Sequence, residues 1–543
     1  MNDLPEHHTT EIRSTEVEGV VWKLMLSFDV DEWVVRAETI DGSSPEPFRS
    51  ASEEKAREIF EKFEILLGQS KKIAPSAEDA PSAEDIGRLR RARAAQRLDE
   101  YESLVATTII GIDTLWGGDV NNPSGLGRFI ADCYCSGKQL PAAYDDPLAL
   151  QLRKAGGVMG GSGVEETSRA YIEKFALEHR IAELEQLGGS LDDPRGRYLS
   201  GVARSLQVML DLARETLGDG EPVPYERAVI ASTGEAARYV NTSEDRQAIT
   251  DLLELQGYPI EHFNGSLSRA VDGWRAEHAI DRDDIGRTSA NAVSRLDEMT
   301  QERVLAHLPP EIHAVPRANI TFLPIENAWF SGSMNYLGRA RRADGSPEYE
   351  ATYEINTSLE ISRPEFEHLV SHEVVPGHVM TFAYLQHSYH IGLAGFEATI
   401  QTMNTRASTL SEGIANNAIL FAFGVDAPEK IPDETLRLGV LLSLLQDKAK
   451  ANASYLLYSE GLDPAEVERR IREECLVSEE RAHKLAGAWG AHPLLGRMYL
   501  PSYHIGTRIV GELIRTHGPE RTLPAIYGCQ GLVDIVTVQE LLV

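Results

Sequence analysis

The chain has 543 residues, of which 84 are Asp or Glu and 53 are Lys or Arg, so its formal net charge at pH 7 is −31. This length allows roughly two to four domains or one large enzyme, and 42% hydrophobic residues exclude a disordered chain. A strongly negative chain repels phosphate backbones and anionic lipid, which disfavours nucleic acid and membrane surfaces as partners. The partner that remains is a small molecule or a short peptide. Composition leaves the oligomeric state open.

The N-terminus and the cysteines predict a cytoplasmic location. The first residues, MNDLPEHHTTEIRSTE, are polar and acidic, with no basic stretch followed by an apolar run as in a secretory signal. The most apolar stretches, such as Leu438–Leu445, are shorter than the roughly 20 residues that span a bilayer. Four cysteines in a chain of this length do not form a disulfide framework.

The N-terminal half is predicted to be mostly helical. Residues 1–15 are predicted to form a disordered tail, and Glu16–Thr39 fits either a pair of strands or the edge of an apolar helix. Ser52–Leu67 has the apolar spacing of an amphipathic helix. Further helices follow, among them Val164–Leu187, which ends at a Gly-Gly pair. Residues 16–310 are therefore predicted to form one helical region.

The pattern changes at residue 318. Alternating apolar residues, aromatics and turn residues over 318–358 predict a small β-sheet. Helical patterning resumes at Pro364, a residue favoured in the first turn of a helix, and continues to the C-terminus. We expect a mainly α fold in which the helical N-terminal region and residues 311–543 form one continuous body around a deep cleft.

The segment Phe366–Met380 reads FEHLVSHEVVPGHVM and carries the pattern of metal chemistry. A zinc hydrolase needs two neutral imidazoles on one metal ion and a carboxylate beside them, and His-Glu-x-x-His puts both rings on one helix face. Here His372 and His378 are six residues apart, which on a continuous helix separates the rings by about 120°. Pro376 lacks an amide hydrogen and Gly377 tolerates unusual backbone angles, so a kink or bulge there can bring both histidines to one ion.

Two other residues bear on this metal site. His368 and His372 are four residues apart and could chelate an ion without any break. In that pairing no glutamate follows the first histidine, and the Pro-Gly pair has no role. Glu412, 34 residues after His378, starts an apolar helix and is the candidate third ligand, although an acidic residue there can also stabilise the helix N-terminus. Gly413 leaves room for another segment to approach closely.

Three segments, HEVVPGH, SEGIA and PSYHIG, resemble the bacterial DUF885 family. Its pattern is His-Glu-x-x-Pro-Gly-His, then Glu-Gly-Trp-Ala, then a Tyr-x-x-Gly segment near the end. The resemblance extends over roughly residues 319–510 and more weakly over the N-terminal half. Members look like mostly helical, zincin-like metallohydrolases and are described as candidate peptidases.

This resemblance implies a role for each residue of the motif. His372, His378 and Glu412 would bind zinc, and Glu373 would be the general base. Tyr503 would reach the cleft, where its phenol could donate a hydrogen bond to a developing oxyanion.

The chain departs from the family pattern around the metal ligands. Where the family has Glu-Gly-Trp-Ala-Leu-Tyr, residues 412–417 read EGIANN, so two aromatics are missing. Residues 450–463 read KANASYLLYSEGLD, without the Asp and His that relatives carry on one helix. An intact ligand set in altered surroundings keeps hydrolysis as the expected chemistry and disfavours ordinary peptide substrates.

Six side chains are candidates for binding the substrate. Arginine and histidine can hold a substrate carboxylate, and a strand beside the metal holds an extended substrate in many zincins. The candidates of the first kind are Arg508, Arg497 and His504, and those of the second kind are Asn327, Tyr336 and Asn356.

The expected function is zinc-dependent hydrolysis of an amide or peptide bond in a small substrate, by metal-activated water with Glu373 as general base. Two other classes stay open. Two histidines and one glutamate also form the facial triad of non-haem iron, so a lyase or an oxygenase using Fe²⁺ or Mn²⁺ is one alternative. A non-catalytic, metal-containing binding protein is the other, against which the presence of Glu373 argues.

Overall fold

The computed structural model is mainly helical. It describes residues 7–17, 20–29, 32–39, 48–50, 71–73, 100–119, 130–133, 140–281, 284–313, 319–325, 332–336, 350–356, 361–529 and 531–543. The helix predicted over Ser52–Leu67 lies outside these residues.

The strands are β1 (His7–Val17), β2 (Val20–Asp29), β3 (Glu32–Thr39), β4 (Phe48–Ser50), β5 (Lys71–Ile73), β6 (Ile130–Cys133), β7 (Asn319–Ile325), β8 (Gly332–Tyr336), β9 (Glu350–Asn356) and β10 (Ile400–Thr402). The helices are α1 (Glu100–Leu115), α2 (Ala142–Asp145), α3 (Pro147–Ala155), α4 (Val164–Lys174), α5 (Leu177–Ser190), α6 (Pro194–Thr216), α7 (Tyr225–Thr233), α8 (Ser243–Leu255), α9 (Leu267–Glu277), α10 (Ile285–Arg303), α11 (Pro310–His313), α12 (Arg363–Glu373), α13 (His378–His390), α14 (Arg406–Phe423), α15 (Glu434–Tyr458), α16 (Pro464–Cys475), α17 (Glu479–Ala486), α18 (Ala488–Ala491), α19 (Leu500–His517), α20 (Pro519–Ile526) and α21 (Ile535–Leu542).

The chain divides into two compact units, and the single continuous body that the sequence predicts stays a prediction. The first contains Met1–Arg97, Cys135–Gln139 and Arg317–Ser358, and the second contains Leu98–Tyr134, Leu140–Pro316 and Leu359–Val543. The second unit therefore runs through the predicted boundary at residue 310. Local patterns predict elements, but they do not show which distant segments cluster in space.

The first unit contains two sheets. In the five-stranded sheet the order is β4-β3-β2-β1-β5, and all neighbours are antiparallel. Where the sequence predicts a disordered tail over residues 1–15, β1 begins at His7 and pairs with both β2 and β5, although its own sequence is mostly polar. The ambiguous segment Glu16–Thr39 forms β2 and β3, so the predicted helical region begins with strands.

The second sheet of this unit falls within residues 318–358, where the sequence predicts one. Its order is β7-β9-β8, with β7 parallel and β8 antiparallel to the central strand β9. Tyr336 ends β8 and pairs with Ala351, whereas Asn356 ends β9 and pairs with Ile325. The two candidate residues are thus at opposite ends of β9.

The second unit is built around α14, which is buried along nearly its whole length. Its last six residues are all apolar, as expected for a helix inside a protein, whereas the part before them includes buried polar side chains. Thr405 and Ser408 form a capping box at its start, and Gly424 ends it in the left-handed conformation that suits glycine. Helices α12 and α19 pack against it. Within the described part of the chain, no helix combines the length and apolar character needed to cross a bilayer.

Candidate metal centre

The helix that carries the histidine motif is interrupted between its two histidines. α12 ends at Glu373 and α13 begins at His378, and the residues between them include a cis peptide bond before Pro376. The carbonyl oxygen of Pro376 accepts a hydrogen bond of 2.6 Å from the hydroxyl of Tyr527. The break that the sequence predicts is therefore confirmed, and it is a full interruption rather than a kink.

Gly377 makes this interruption possible because it packs on the end of α12. Its amide donates to the carbonyl oxygen of Ser371 at 3.0 Å. A β-carbon at residue 377 would lie 1.8 Å from the carbonyl oxygen of His372, so no side chain fits without moving the backbone. The chain then re-enters a helix with the ring of His378 edge-on to that of His372, their centroids 4.8 Å apart.

Glu412 of α14 completes a three-residue cluster. One carboxylate oxygen lies 3.5 Å from Nε2 of His372, and the other lies 3.7 Å from Nε2 of His378. All three side chains are buried, and one potential ligand atom from each lies within 4.8 Å of the others. Among the described residues, this is the one such group of three or more His, Cys, Asp or Glu.

His368, which forms the rival pair with His372, is not part of this cluster. Its Nε2 lies 3.3 Å from the backbone oxygen of Asn416, and its ring is buried. The structure thus brings together the histidines separated by Pro-Gly.

Each clustered histidine is held through the ring nitrogen that is further from the carboxylate. Nδ1 of His372 lies 2.8 Å from Oδ1 of Asn416, and Nδ1 of His378 lies 3.1 Å from Oγ of Ser411. Both partners belong to α14, as does Glu412. Nε2 is therefore the nitrogen of each ring that lies towards Glu412, where a metal ion would bind.

Burial sets the protonation of this cluster. Desolvation, with the neighbouring histidines adding to it, lowers the pKa of His372 well below its ordinary value, and desolvation lowers that of His378 to about 4. Both imidazoles are thus neutral at pH 7, which is the form that binds metals. Burial raises the pKa of Glu412 to about 7, opposed by a hydrogen bond from Tyr499.

These residues fit a divalent metal ion. Two imidazole nitrogens and one carboxylate oxygen are the protein ligands of many catalytic zinc sites, and they also form the facial triad of non-haem iron. Oε2 of Glu412 is buried and has no hydrogen-bond partner among the described residues. Such an oxygen is costly unless a cation or a proton compensates it.

Two tyrosines form a chain of hydrogen bonds that ends on the carboxylate of Glu412. Tyr499, which ends the π-helical turn Leu495–Tyr499, donates to Oε1 of Glu412 at 2.6 Å. Tyr503 of α19 donates to the hydroxyl oxygen of Tyr499 at 3.3 Å. Burial and the charge of Glu412 raise the pKa of both phenols well above the usual value, so both stay protonated at neutral pH. Sequence reasoning selects Tyr503 and misses Tyr499, although two tyrosines four residues apart share a helix face.

Two glycines allow α14 and α19 to touch. A β-carbon on Gly413 would lie 2.5 Å from the carbonyl oxygen of Gly506, and one on Gly506 would lie 2.2 Å from that of Thr409. The close approach that the sequence predicts at Gly413 is therefore present. It brings the tyrosines of the α19 segment to the carboxylate of Glu412.

Two further charged residues lie near the tyrosines. Glu373 is half-buried at the end of α12, and its negative charge adds to the rise in the pKa of Tyr503. Lys450 of α15, which sequence reasoning missed, has its Nζ 3.2 Å from the centre of the Tyr503 ring and 2.9 Å from Oδ1 of Asp447. Its positive charge helps to lower the pKa of Glu412.

The arginines predicted to hold a substrate carboxylate are engaged in ion pairs. Arg497 donates two hydrogen bonds to Glu215, at 2.7 and 2.9 Å. Arg508 pairs with Glu512 and with Glu235. The positive charges of Arg497 and Arg508 are therefore both paired with carboxylates of this chain. Their role in binding a substrate stays a prediction.

Within the described part of the chain, the structure gives no contact between the other substrate candidates and the cluster. Burial lowers the pKa of His504 to about 4, which keeps it neutral at pH 7. Tyr336 and Asn356 belong to the first unit, whereas the cluster belongs to the second. Asn327 lies outside the described residues. The role of all four in substrate binding stays a prediction.

Comparison with solved structures gives distant likenesses, among them two candidate lipoproteins. No family model and no curated protein matches the chain. A solved structure of a candidate lipoprotein from Colwellia psychrerythraea is 14% identical, with a TM-score of 0.43 over 84% of this chain and 89% of that one. A candidate lipoprotein of unknown function from Shewanella oneidensis is 12% identical, with a TM-score of 0.44 over 85% of this chain and 92% of that one.

Proposed function

We propose that this chain is a zinc-dependent hydrolase of the zincin type that cleaves an amide or peptide bond in a small substrate. The observation that carries the proposal is the buried cluster of His372, His378 and Glu412, with both Nε2 atoms towards one carboxylate. A metal-binding glutamate and two histidines need no further acid to hold an ion. Glu373, half-buried next to His372, is the carboxylate that we assign to the chemical step, as the resemblance to the DUF885 family also implies.

The roles divide among a few side chains. His372, His378 and Glu412 would hold the ion, which when bound supplies the Lewis acidity that polarises a carbonyl and makes water more acidic. Glu373 accepts the proton of the attacking water and passes it to the leaving nitrogen. Tyr503, kept protonated by burial, turns its hydroxyl from Tyr499 to the oxyanion that develops on the substrate.

Metal content is the first test. Protein purified without added metal is expected to contain about one zinc per chain by elemental analysis. His378→Ala should lose it, whereas His368→Ala, which also removes a buried histidine from this region, should keep it. Zinc retained in His378→Ala and lost in His368→Ala would overturn the ligand assignment. Iron or manganese in place of zinc would favour the alternative of a lyase or oxygenase.

Turnover is the second test. We expect wild-type protein to hydrolyse members of a panel of N-acylated amino acids and dipeptides, followed by the release of free amine. Glu373→Gln should lower the rate by about 10²–10⁴-fold, the usual contribution of a general base, with its zinc content unchanged. Equal rates for wild type and variant would exclude this base. A zinc-loaded wild type without activity on the panel would favour a metal-containing binding protein.

The cytoplasmic location that the sequence predicts is part of this proposal. Cys475 and Cys529 are free thiols, the state that a reducing compartment maintains. Cell fractionation followed by immunoblotting should recover the protein with the cytoplasmic markers. Recovery with the cell envelope would contradict this location.

A further inference from the structure

We propose that the side-chain amide of Asn416 selects the tautomer of His372 that can bind a metal ion and fixes the orientation of its ring. Asn416 is a positioning residue in this scheme, because it would act on the ion only through His372. This role rests on the proposed metal site and goes beyond it, since it explains which ring nitrogen is available. The residue stands where the family pattern has leucine.

The direction of the amide follows from a chain of three hydrogen bonds. The hydroxyl of Thr507 donates to the carbonyl oxygen of Tyr503 at 2.7 Å. A backbone carbonyl can only accept, so the single hydroxyl hydrogen of Thr507 is used there. Nδ2 of Asn416 lies 2.8 Å from Oγ1 of Thr507. The Thr507 oxygen must accept this bond, which requires the amide NH₂ of Asn416 to point towards it.

The tautomer of His372 follows from the direction of the amide. With its NH₂ towards Thr507, Asn416 presents Oδ1 to Nδ1 of His372 at 2.8 Å. An amide oxygen only accepts, so Nδ1 must carry the hydrogen and Nε2 must carry the lone pair. Nε2 is the atom that lies 3.5 Å from Glu412. The opposite tautomer would direct an N–H at the carboxylate, where an ion would have to bind.

The two histidines of the cluster are therefore held differently. The partner of His378 is the hydroxyl of Ser411 at 3.1 Å, and a hydroxyl can donate or accept. Ser411 thus leaves the tautomer of His378 open, whereas Asn416 fixes that of His372. We expect a substitution at Asn416 to weaken metal binding more than Ser411→Ala does.

Asn417 offers a matched control. It is the same residue type on the same helix, and its exposure of 4% is close to the 3% of Asn416. Its Nδ2 donates to the backbone oxygens of Gly413 at 2.8 Å and Thr507 at 3.0 Å. Replacing either asparagine with leucine removes one hydrogen bond from α14 to Thr507 of α19. Only the change at Asn416 removes a bond to a candidate ligand.

The experiment measures zinc affinity in the full-length protein, by competition with a chromogenic chelator after the metal has been stripped. Asn416→Leu is expected to weaken zinc binding by about 10–100-fold, the usual effect of losing an outer partner of a ligand. Asn417→Leu should stay close to wild type. Asn416→Asp should retain affinity, because a carboxylate also accepts from Nδ1 of His372. Thermal melts of the metal-free proteins verify folding.

The outcomes separate this role from the proposed function. Wild-type affinity in Asn416→Leu, or an equal loss in Asn417→Leu, would overturn the positioning role. If Asn416→Leu does not fold, Thr507→Val tests the same chain of bonds, since it frees the amide to turn. A loss of affinity in Thr507→Val supports the role, and unchanged affinity overturns it. Wild-type protein that binds no zinc would instead overturn the proposed function.

Discussion

The interruption between α12 and α13 and the continuous helix α14 both supply residues to the cluster, but by different means. In the interruption the backbone does the positioning, because Gly377 lies against the carbonyl of His372 and turns the chain. In α14 the backbone is regular, and the side chains of Ser411, Glu412 and Asn416 reach the cluster from one helix. Substitutions in the interruption should therefore abolish zinc binding outright, whereas substitutions along α14 should weaken it by degrees.

The largest effect is expected for Gly377→Ala. The added β-carbon would lie 1.8 Å from the carbonyl oxygen of His372, so the interruption must rearrange, at a cost of roughly 3 kcal/mol or more. Elemental analysis should find no bound zinc, and the melting temperature should fall. Gly189→Ala is the control, since nothing lies within 4 Å of its β-carbon. Stoichiometric zinc in Gly377→Ala would remove the distinction between the two regions.

A loss of stability without a loss of zinc is expected for Glu365→Gln at the start of α12, at the end of the helix away from the interruption. Arg275 of α9 donates to Glu365 at 2.7 Å, and both side chains are largely buried. Removing one charge of a buried pair costs about 3–5 kcal/mol, because the other is left uncompensated. Urea unfolding at pH 7 should show this loss, with the zinc content retained. Loss of zinc would mean that the whole of α12, rather than its end, sets the site.

The same pair predicts a pH dependence. Burial acts to raise the pKa of Glu365, but the charge and hydrogen bonds of Arg275 outweigh it and hold the pKa below its usual range. The pair therefore stabilises the protein fully above the unfolded value of about 4.3, and the contribution is lost as the pH falls through the lower folded value. Between pH 7 and pH 3, wild-type stability should fall more steeply than that of Glu365→Gln. Parallel profiles would contradict this.

Gly413→Ala should have an intermediate effect. Its β-carbon would lie 2.5 Å from the carbonyl oxygen of Gly506, which pushes α14 and α19 apart at a cost of about 1–3 kcal/mol. Better helix propensity returns about 1 kcal/mol of this. Gly511→Ala is the control on α19, because its β-carbon would first meet a flexible arginine, Arg515. Zinc affinity should decline in Gly413→Ala without disappearing.

The smallest effect is expected for Tyr499→Phe. The variant loses the 2.6 Å hydrogen bond to Glu412, worth about 1 kcal/mol in the free energy of unfolding. Zinc affinity should change by less than about tenfold, since the ligand atoms remain. Tyr503→Phe keeps the bond to Glu412 and serves as the comparison. Complete loss of zinc in Tyr499→Phe would contradict the graded response, because removing one hydrogen bond to a side chain of α14 would then abolish binding.

The sequence reveals the candidate ligands because their signals are local. Pro376 and Gly377 predict the break from their backbone chemistry alone, and the glycine after Glu412 predicts a close neighbour. The roles of Tyr499 and Asn416 could not be read in this way, since they exist only where α14 meets α19. β1 was missed for a similar reason, because its polar sequence is held by pairing with β2 and β5.

The position of Tyr499 along the chain has a consequence for synthesis. It follows Glu412 by 87 residues, and a ribosome that adds about 5–20 residues per second delivers it roughly 4–17 s later. During that interval the nascent chain already contains both histidines and the glutamate, but neither Tyr499 nor Tyr503. A messenger truncated between these two codons would therefore encode all three candidate metal ligands without the tyrosine that hydrogen-bonds to Glu412.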